Sequence, residues 1–117
     1  MSRIERVNQQ VKREISRIIQ LELSDPRLEF VSITGVEVSK DLRNARVYFS
    51  VLGDESRVEA AATGLNGAGG TIRGLLSKKL NMRNTPELRF YHDKSIEYSS
   101  FVEETLKEIN DEHNSDQ

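Results

Sequence analysis

The chain has no cysteine and no tryptophan, and only two prolines. Without cysteine there is no disulfide framework, no thiolate metal site and no thiol nucleophile. A reducing, cytoplasmic setting fits that composition. The two histidines, His92 and His113, stand far apart with no Cys or His neighbours, so neither a metal nor another cofactor is expected. No run approaches the roughly 18 apolar residues of a membrane span. The opening Met-Ser-Arg-Ile-Glu is charged and already helical in pattern, unlike a signal peptide. H-E-x-x-H, G-x-S-x-G and the phosphate-binding P-loop pattern are all missing. His92 and Asp93 adjoin, but no nucleophile stands out beside them. The paired acids near the C-terminus read as solvated surface. Nothing in these patterns points to an enzyme.

What is present suits one α+β domain. The 117 residues are 36% hydrophobic and 31% charged. A single domain over residues 1–110 is expected, followed by an acidic, disordered tail at 111–117. The net charge of -2 conceals an asymmetry. Residues 97–117 hold one lysine and seven acids, whereas residues 1–96 hold sixteen basic and twelve acidic side chains. A basic body with an acidic end is seen in nucleic-acid binders, and equally in proteins with a merely solvated surface.

In chain order, Ser2-Arg3-Ile4-Glu5 is a capping box. It opens a helix whose apolar face is Ile4, Val7, Val11, Ile15, Ile18 and Ile19, with Arg3, Arg6, Gln10, Arg13 and Arg17 opposite. Cations in a first turn oppose the helix dipole, so helix stability does not account for Arg3 and Arg6. Ser24-Asp25-Pro26 ends this helix. Phe30–Ser39 and Ala45–Leu52 alternate as strands and read as an antiparallel hairpin across Lys40–Asn44. Asp54 is placed to cap a second helix over Glu55–Leu65. The glycine cluster follows, then a third helix with Ile72, Leu75, Leu76 and Leu80 inward. Asn84-Thr85-Pro86 stops it, Glu87–His92 reads as a third strand, and a final helix carries Tyr98, Phe101, Val102, Leu106 and Ile109.

The glycine cluster admits two readings. Three of the seven glycines, Gly67, Gly69 and Gly70, fall within four residues. They can serve as a helix end and tight turn using left-handed angles. Alternatively they can bring the start of the third helix, with its free backbone N–H groups, close to a phosphate. Gly67-Ala68-Gly69-Gly70 also spells G-x-x-G, the loop by which KH modules clamp a nucleic-acid backbone. Nearby stand Arg73, Lys78, Lys79, Arg83, Arg89 and Lys94. The helix dipole alone explains Lys78, Lys79 and Arg83. Phe90 and Tyr91 are the only aromatics near this patch, which favours readout of backbone and shape over base stacking.

These residues together resemble a known family over residues 3–109. The matching stretches are R-I-E-R-V-N-Q-Q-V-K-R-E-I, S-D-P-R-L, V-E-V-S-K-D-L-R-N-A-R-V-Y-F-S-V-L-G and G-G-T-I-R-G-L-L-S-K-K-L-N-M-R-N-T-P-E-L-R-F-Y-H-D-K-S. They are similar to bacterial ribosome-binding factor A. The resemblance implies a type II KH-like fold, α-β-β-α-kink-α-β with a C-terminal helix, in which an Ala-x-Gly kink replaces G-x-x-G. Ala68-Gly69-Gly70 fits that kink, and Gly67 lets the chain satisfy both patterns. It further implies a non-catalytic factor that binds the small ribosomal subunit and its precursor rRNA late in maturation. Such factors support processing of the rRNA 5′ end and growth in the cold, and an assembly GTPase helps release them. The expected RNA contacts are Arg3, Arg6, Arg13, Arg17, Ala68, Gly69, Gly70, Arg73, Lys78, Lys79 and Arg83. A monomer with no membrane contact is expected. Two alternatives stand beside it: a generic KH-type RNA-binding module, and a protein–protein adaptor acting through the acidic C-terminal helix.

Overall fold

A computed structural model describes residues 2–94. The expected C-terminal helix and the acidic tail at 111–117 lie outside the described residues. Helix α1 (Arg3–Arg17) starts at the anticipated capping box. The Glu5 N–H donates to Ser2 Oγ at 3.2 Å, and the Ser2 N–H donates to Glu5 Oε2 at 3.4 Å. The helix then widens into a π turn over Ile18–Glu22, where the Leu23 N–H reaches back to the Ile18 carbonyl. Asp25 caps the short 3₁₀ turn Pro26–Leu28 and holds Arg27 by an ion pair of 2.7 Å.

Strands β1 (Val31–Val38) and β2 (Asn44–Val51) form the expected antiparallel hairpin. Between Ile33 and Gly35 the register shifts, which leaves Thr34 as a bulge residue. Its hydroxyl donates to Asp93 Oδ2 at 2.9 Å. The connecting turn places Leu42 at φ 61°, and Asp41 accepts from the Ser39 hydroxyl at 2.6 Å and the Arg43 N–H at 3.0 Å. Strand β3 (Glu87–His92) lies parallel to β2, giving the order β1-β2-β3. A long crossover is what parallel pairing demands, and the second helix supplies it.

That helix, α2, runs unbroken from Glu55 to Leu80, about 39 Å at 1.5 Å per residue. Asp54 caps its start as expected, and Asn81 ends it in a left-handed conformation at φ 49°. The expected second and third helices are therefore one. No glycine in it adopts a positive φ; Gly53, before the helix, is the glycine that does. The reason is packing. Ala61, Leu65, Ile72 and Leu76 are all fully buried, and their spacing continues one helical stripe straight through the glycines. Five glycines cost this helix about 5 kcal/mol relative to alanine. Burying Leu65, Ile72 and Leu76 returns about 5–9 kcal/mol, enough to hold the turns together.

Both helices cover the same face of the sheet. Val11, Ile15 and Ile18 from α1 meet Val36, Val38, Val47 and Phe49 in one core with the α2 stripe. Asn8 fixes the approach of α1 by accepting from the Val38 N–H at 2.8 Å. Gly64 fixes that of α2. It is buried, and a Cβ there would lie 3.1 Å from Leu28 Cδ2 and 3.3 Å from Asp25 Oδ2. Gly67, Gly70 and Gly74 differ: among the described residues a Cβ at each would meet nothing within 4 Å beyond the helix itself.

Two outcomes follow. Gly70→Ala and Gly74→Ala should each raise stability by about 0.5–1 kcal/mol in chemical denaturation, whereas Gly64→Ala should lower it, because buried Leu28 must move. The second concerns acid. The Arg27 guanidinium holds the Asp25 carboxyl below its usual value, the Ser39 hydroxyl does so for Asp41, and the Ser56 hydroxyl for Asp54. A carboxyl depressed in the folded state stabilises the fold above its unfolded pKa, and that stability is lost as pH falls through the folded value. Thermal melts should therefore show the midpoint dropping below about pH 4. In Asp54→Asn the drop over that range should be shallower.

Candidate nucleic-acid interface

The outward side of α2 is the least ordinary surface of the described fold. Gly67, Gly70 and Gly74 recur at helical spacing and are exposed. Neither backbone angle nor neighbouring atoms require glycine at these three positions. The bare helix there lets a second backbone approach more closely than any side chain would permit. Gly67 and Gly74 are absent from the contacts expected from sequence; their helical spacing from Gly70 is the signal that would have found them.

Gly70 and Gly74 form one wall of an open groove of about 410 Å³, with Arg73, Ser77, Arg83 and Thr85 around it. Arg73 builds the groove as much as it offers charge. Its Nε and Nη2 donate to the Thr85 carbonyl at 3.2 and 2.8 Å, which ties the segment after α2 back onto the helix. Asn81 in its left-handed cap turns the chain so that this segment can return. Arg83 also borders a neighbouring groove of about 390 Å³, shared with Val7 and Gln10 of α1 and Leu42 of the hairpin turn. The first turns of α1 and the end of α2 thus stand side by side.

The expected contacts divide by position. Gly70, Arg73 and Arg83 share the groove. Lys78 and Lys79 are exposed on the last turn of α2, with Lys79 Nζ 3.8 Å from Glu22 Oε1, a surface pair worth little. Arg3, Arg6, Arg13 and Arg17 are all exposed along α1, and among the described residues none of them makes an ion pair. Ala68 and Gly69 face the other way. Ala68 packs against the core, and the atom nearest a Cβ on Gly69 would be Phe90 Cε2 at 4.0 Å. A phosphate seat on free N–H groups at the glycine cluster does not form, because those groups are spent inside the continuous helix; the N-terminus of α2 lies at Asp54.

Among the described residues no group of three or more potential metal ligands occurs, and no helix is long and apolar enough to cross a membrane. What the arrangement offers is a mostly unpaired set of cations beside exposed backbone, on ordered helices.

The sequence and the fold have counterparts. Residues 3–106 match the family model for ribosome-binding factor A. The chain is similar to ribosome-binding factor A of Acetivibrio thermocellus, 47% identical over 92% of this chain and 89% of that protein. It is also similar to that of Halothermothrix orenii, 43% identical over 97% and 93%. The crystal structure of ribosome-binding factor A from Thermus thermophilus is 30% identical over 78% of this chain and 97% of that one, with a TM-score of 0.70. A Thermus thermophilus homology model, fitted into a cryo-EM map of a 30S complex, is 31% identical over 74% and 91%, with a TM-score of 0.64. A family match across most of the sequence, with the same fold in solved relatives, makes this chain a member of the ribosome-binding factor A family, a family of non-catalytic factors.

Proposed function

We propose that the protein is a ribosome assembly factor that binds the small subunit and its precursor rRNA during late maturation. The observation that carries this reading is the outward side of α2. Gly67, Gly70 and Gly74 leave helix backbone bare beside Arg73, Lys78 and Arg83. A sugar–phosphate chain laid along that side reaches van der Waals contact with the helix. The cations then stand at the distance where charge-assisted hydrogen bonds form. The arginines of α1 give a second set of phosphate contacts, continuous with the first through the groove shared by Val7, Gln10 and Arg83.

Phosphate contacts of this kind position a protein without reading sequence. Two basic helix surfaces at a fixed mutual angle therefore recognise the shape of a folded rRNA segment. This favours an assembly factor over a generic KH module that reads short single strands by sequence through G-x-x-G. The 30S complex of the Thermus thermophilus relative supports the choice of the small subunit. On this reading the protein acts as a cytoplasmic monomer and supports processing of the rRNA 5′ end and growth in the cold. It leaves the mature subunit with the help of an assembly GTPase.

Co-sedimentation of the full chain with immature small subunits tests this. Each neutralised phosphate should steepen the fall of log affinity with log salt by about 0.7–0.9, so a protein using several cations should lose orders of magnitude between roughly 50 and 200 mM salt. A flat salt response refutes the phosphate mechanism. Lys78→Glu with Arg83→Glu should sharply reduce association while the thermal midpoint stays near that of the parent. Undiminished co-sedimentation would remove both residues from the interface.

A further inference from the structure

The sheet face turned away from both helices carries a second cluster. Because Val47 and Phe49 point into the core, strand alternation sends Arg46 and Tyr48 outward, and Arg89 and Tyr91 likewise on β3. The parallel register sets Arg46 directly beside Arg89 and Tyr48 directly beside Tyr91. The tyrosine rings lie 5.9 Å apart between centroids and are tilted by 35°, with Tyr91 41% exposed. On the other side Tyr48 neighbours Gly35, so no β1 side chain rises beside the rings in that row.

Like charges placed directly opposite each other destabilise a sheet. Arg46 and Arg89 are so placed, although Glu37 faces Arg46 from β1, and among the described residues neither side chain makes an ion pair or a hydrogen bond. They line an open groove of about 510 Å³ together with Tyr91, Glu37 and Asn44. Among the described residues the acids of this face are Glu37, which accepts from the Tyr48 hydroxyl at 3.4 Å, exposed Glu87 and, two residues beyond Tyr91, Asp93, which accepts from the Thr34 hydroxyl.

We propose that this face is a second RNA site, which holds a short unpaired segment: bases stack on Tyr48 and Tyr91 while phosphates reach Arg46 and Arg89. The rows lie about 7 Å apart along the strands, the scale of one nucleotide. Aromatic platforms beside cationic tracks are how single strands are held, and the planar guanidinium matches a phosphate edge. The tyrosine pair decides between RNA and an acidic peptide. Both ligands bring anions to Arg46 and Arg89 and both meet the same carboxylates, but only a nucleobase stacks on the rings and offers amino groups that donate to Glu37. This inference rests on the rRNA reading above and adds unpaired rRNA to the folded rRNA held by the helices.

The test uses the full-length chain and a short single-stranded oligoribonucleotide of cytidine and adenosine. Its affinity should fall about tenfold or more when Tyr48→Ala and Tyr91→Ala are combined, and Tyr48→Phe with Tyr91→Phe should retain it. Arg46→Gln with Arg89→Gln should flatten the salt dependence. Tetranitromethane should nitrate Tyr91 in the free chain, and the oligoribonucleotide should protect it. Parental affinity in the double alanine variant overturns the proposal. So does a Tyr91 that is already protected in the free chain, which would assign this face to the chain's own residues 97–117. Subunit co-sedimentation in parallel separates the two readings. If the tyrosine variants keep oligoribonucleotide affinity while Lys78→Glu with Arg83→Glu abolishes subunit association, the sheet site fails and the rRNA reading stands. If the parent binds neither RNA nor subunits, both fail.

Discussion

The apolar stripe of α2 governs this molecule. Ala61, Leu65, Ile72 and Leu76 are fully buried against the sheet and α1, and they lie on one line through sequence that local preference alone would break. Because that line is continuous, the helix crosses the domain in one span. Its end delivers the chain to start β3 parallel to β2. The side opposite the stripe is thereby fixed as well, and Gly67, Gly70 and Gly74 are exposed there, with no described residue beyond their own helix turn within 4 Å of where a Cβ would stand. The exposed glycines are a consequence of where the buried residues sit.

On the proposed rRNA reading, stability and function pull in opposite directions along this helix. Each outward glycine sacrifices on the order of 1 kcal/mol that alanine would supply, and the core offsets the loss. The cations tell a similar story. Arginines in the first turn of α1 oppose the helix dipole, and the Arg46–Arg89 row sets like charges together on the sheet. By contrast Arg73 is half structural, since it ties the segment at Thr85 to the helix. Substituting it would disturb the groove and the charge at once, so the cations of this surface are not interchangeable.

Much of the fold was legible because its signals are local. The capping box at Ser2 and Glu5, the cap at Asp54 and the hairpin alternation all act within a few residues, whereas α2 ends at Leu80 on the left-handed Asn81 and not at the expected Asn84-Thr85-Pro86. The glycine cluster was misleading for the same reason: read locally, it breaks a helix. What keeps the helix whole is contact with residues far away in sequence. Gly64 shows the same limit. It looks like its neighbours, yet it alone is packed against Leu28 and Asp25. For the site, the cations were visible as residue types, whereas the inward turn of Ala68 and Gly69 and the grouping of Gly70, Arg73 and Arg83 were not.

The sequence by itself determined the element types up to β3, the basic character of residues 1–96 and the family to which the chain belongs, since periodicity, capping chemistry and motif identity are carried by residues close together. Tertiary structure decided that α2 is one helix, that β3 pairs in parallel with β2 and which glycines are bare. Each of these depends on which side of an element is buried by a distant partner. That choice is made by packing energy across the core, which no local stretch of sequence contains.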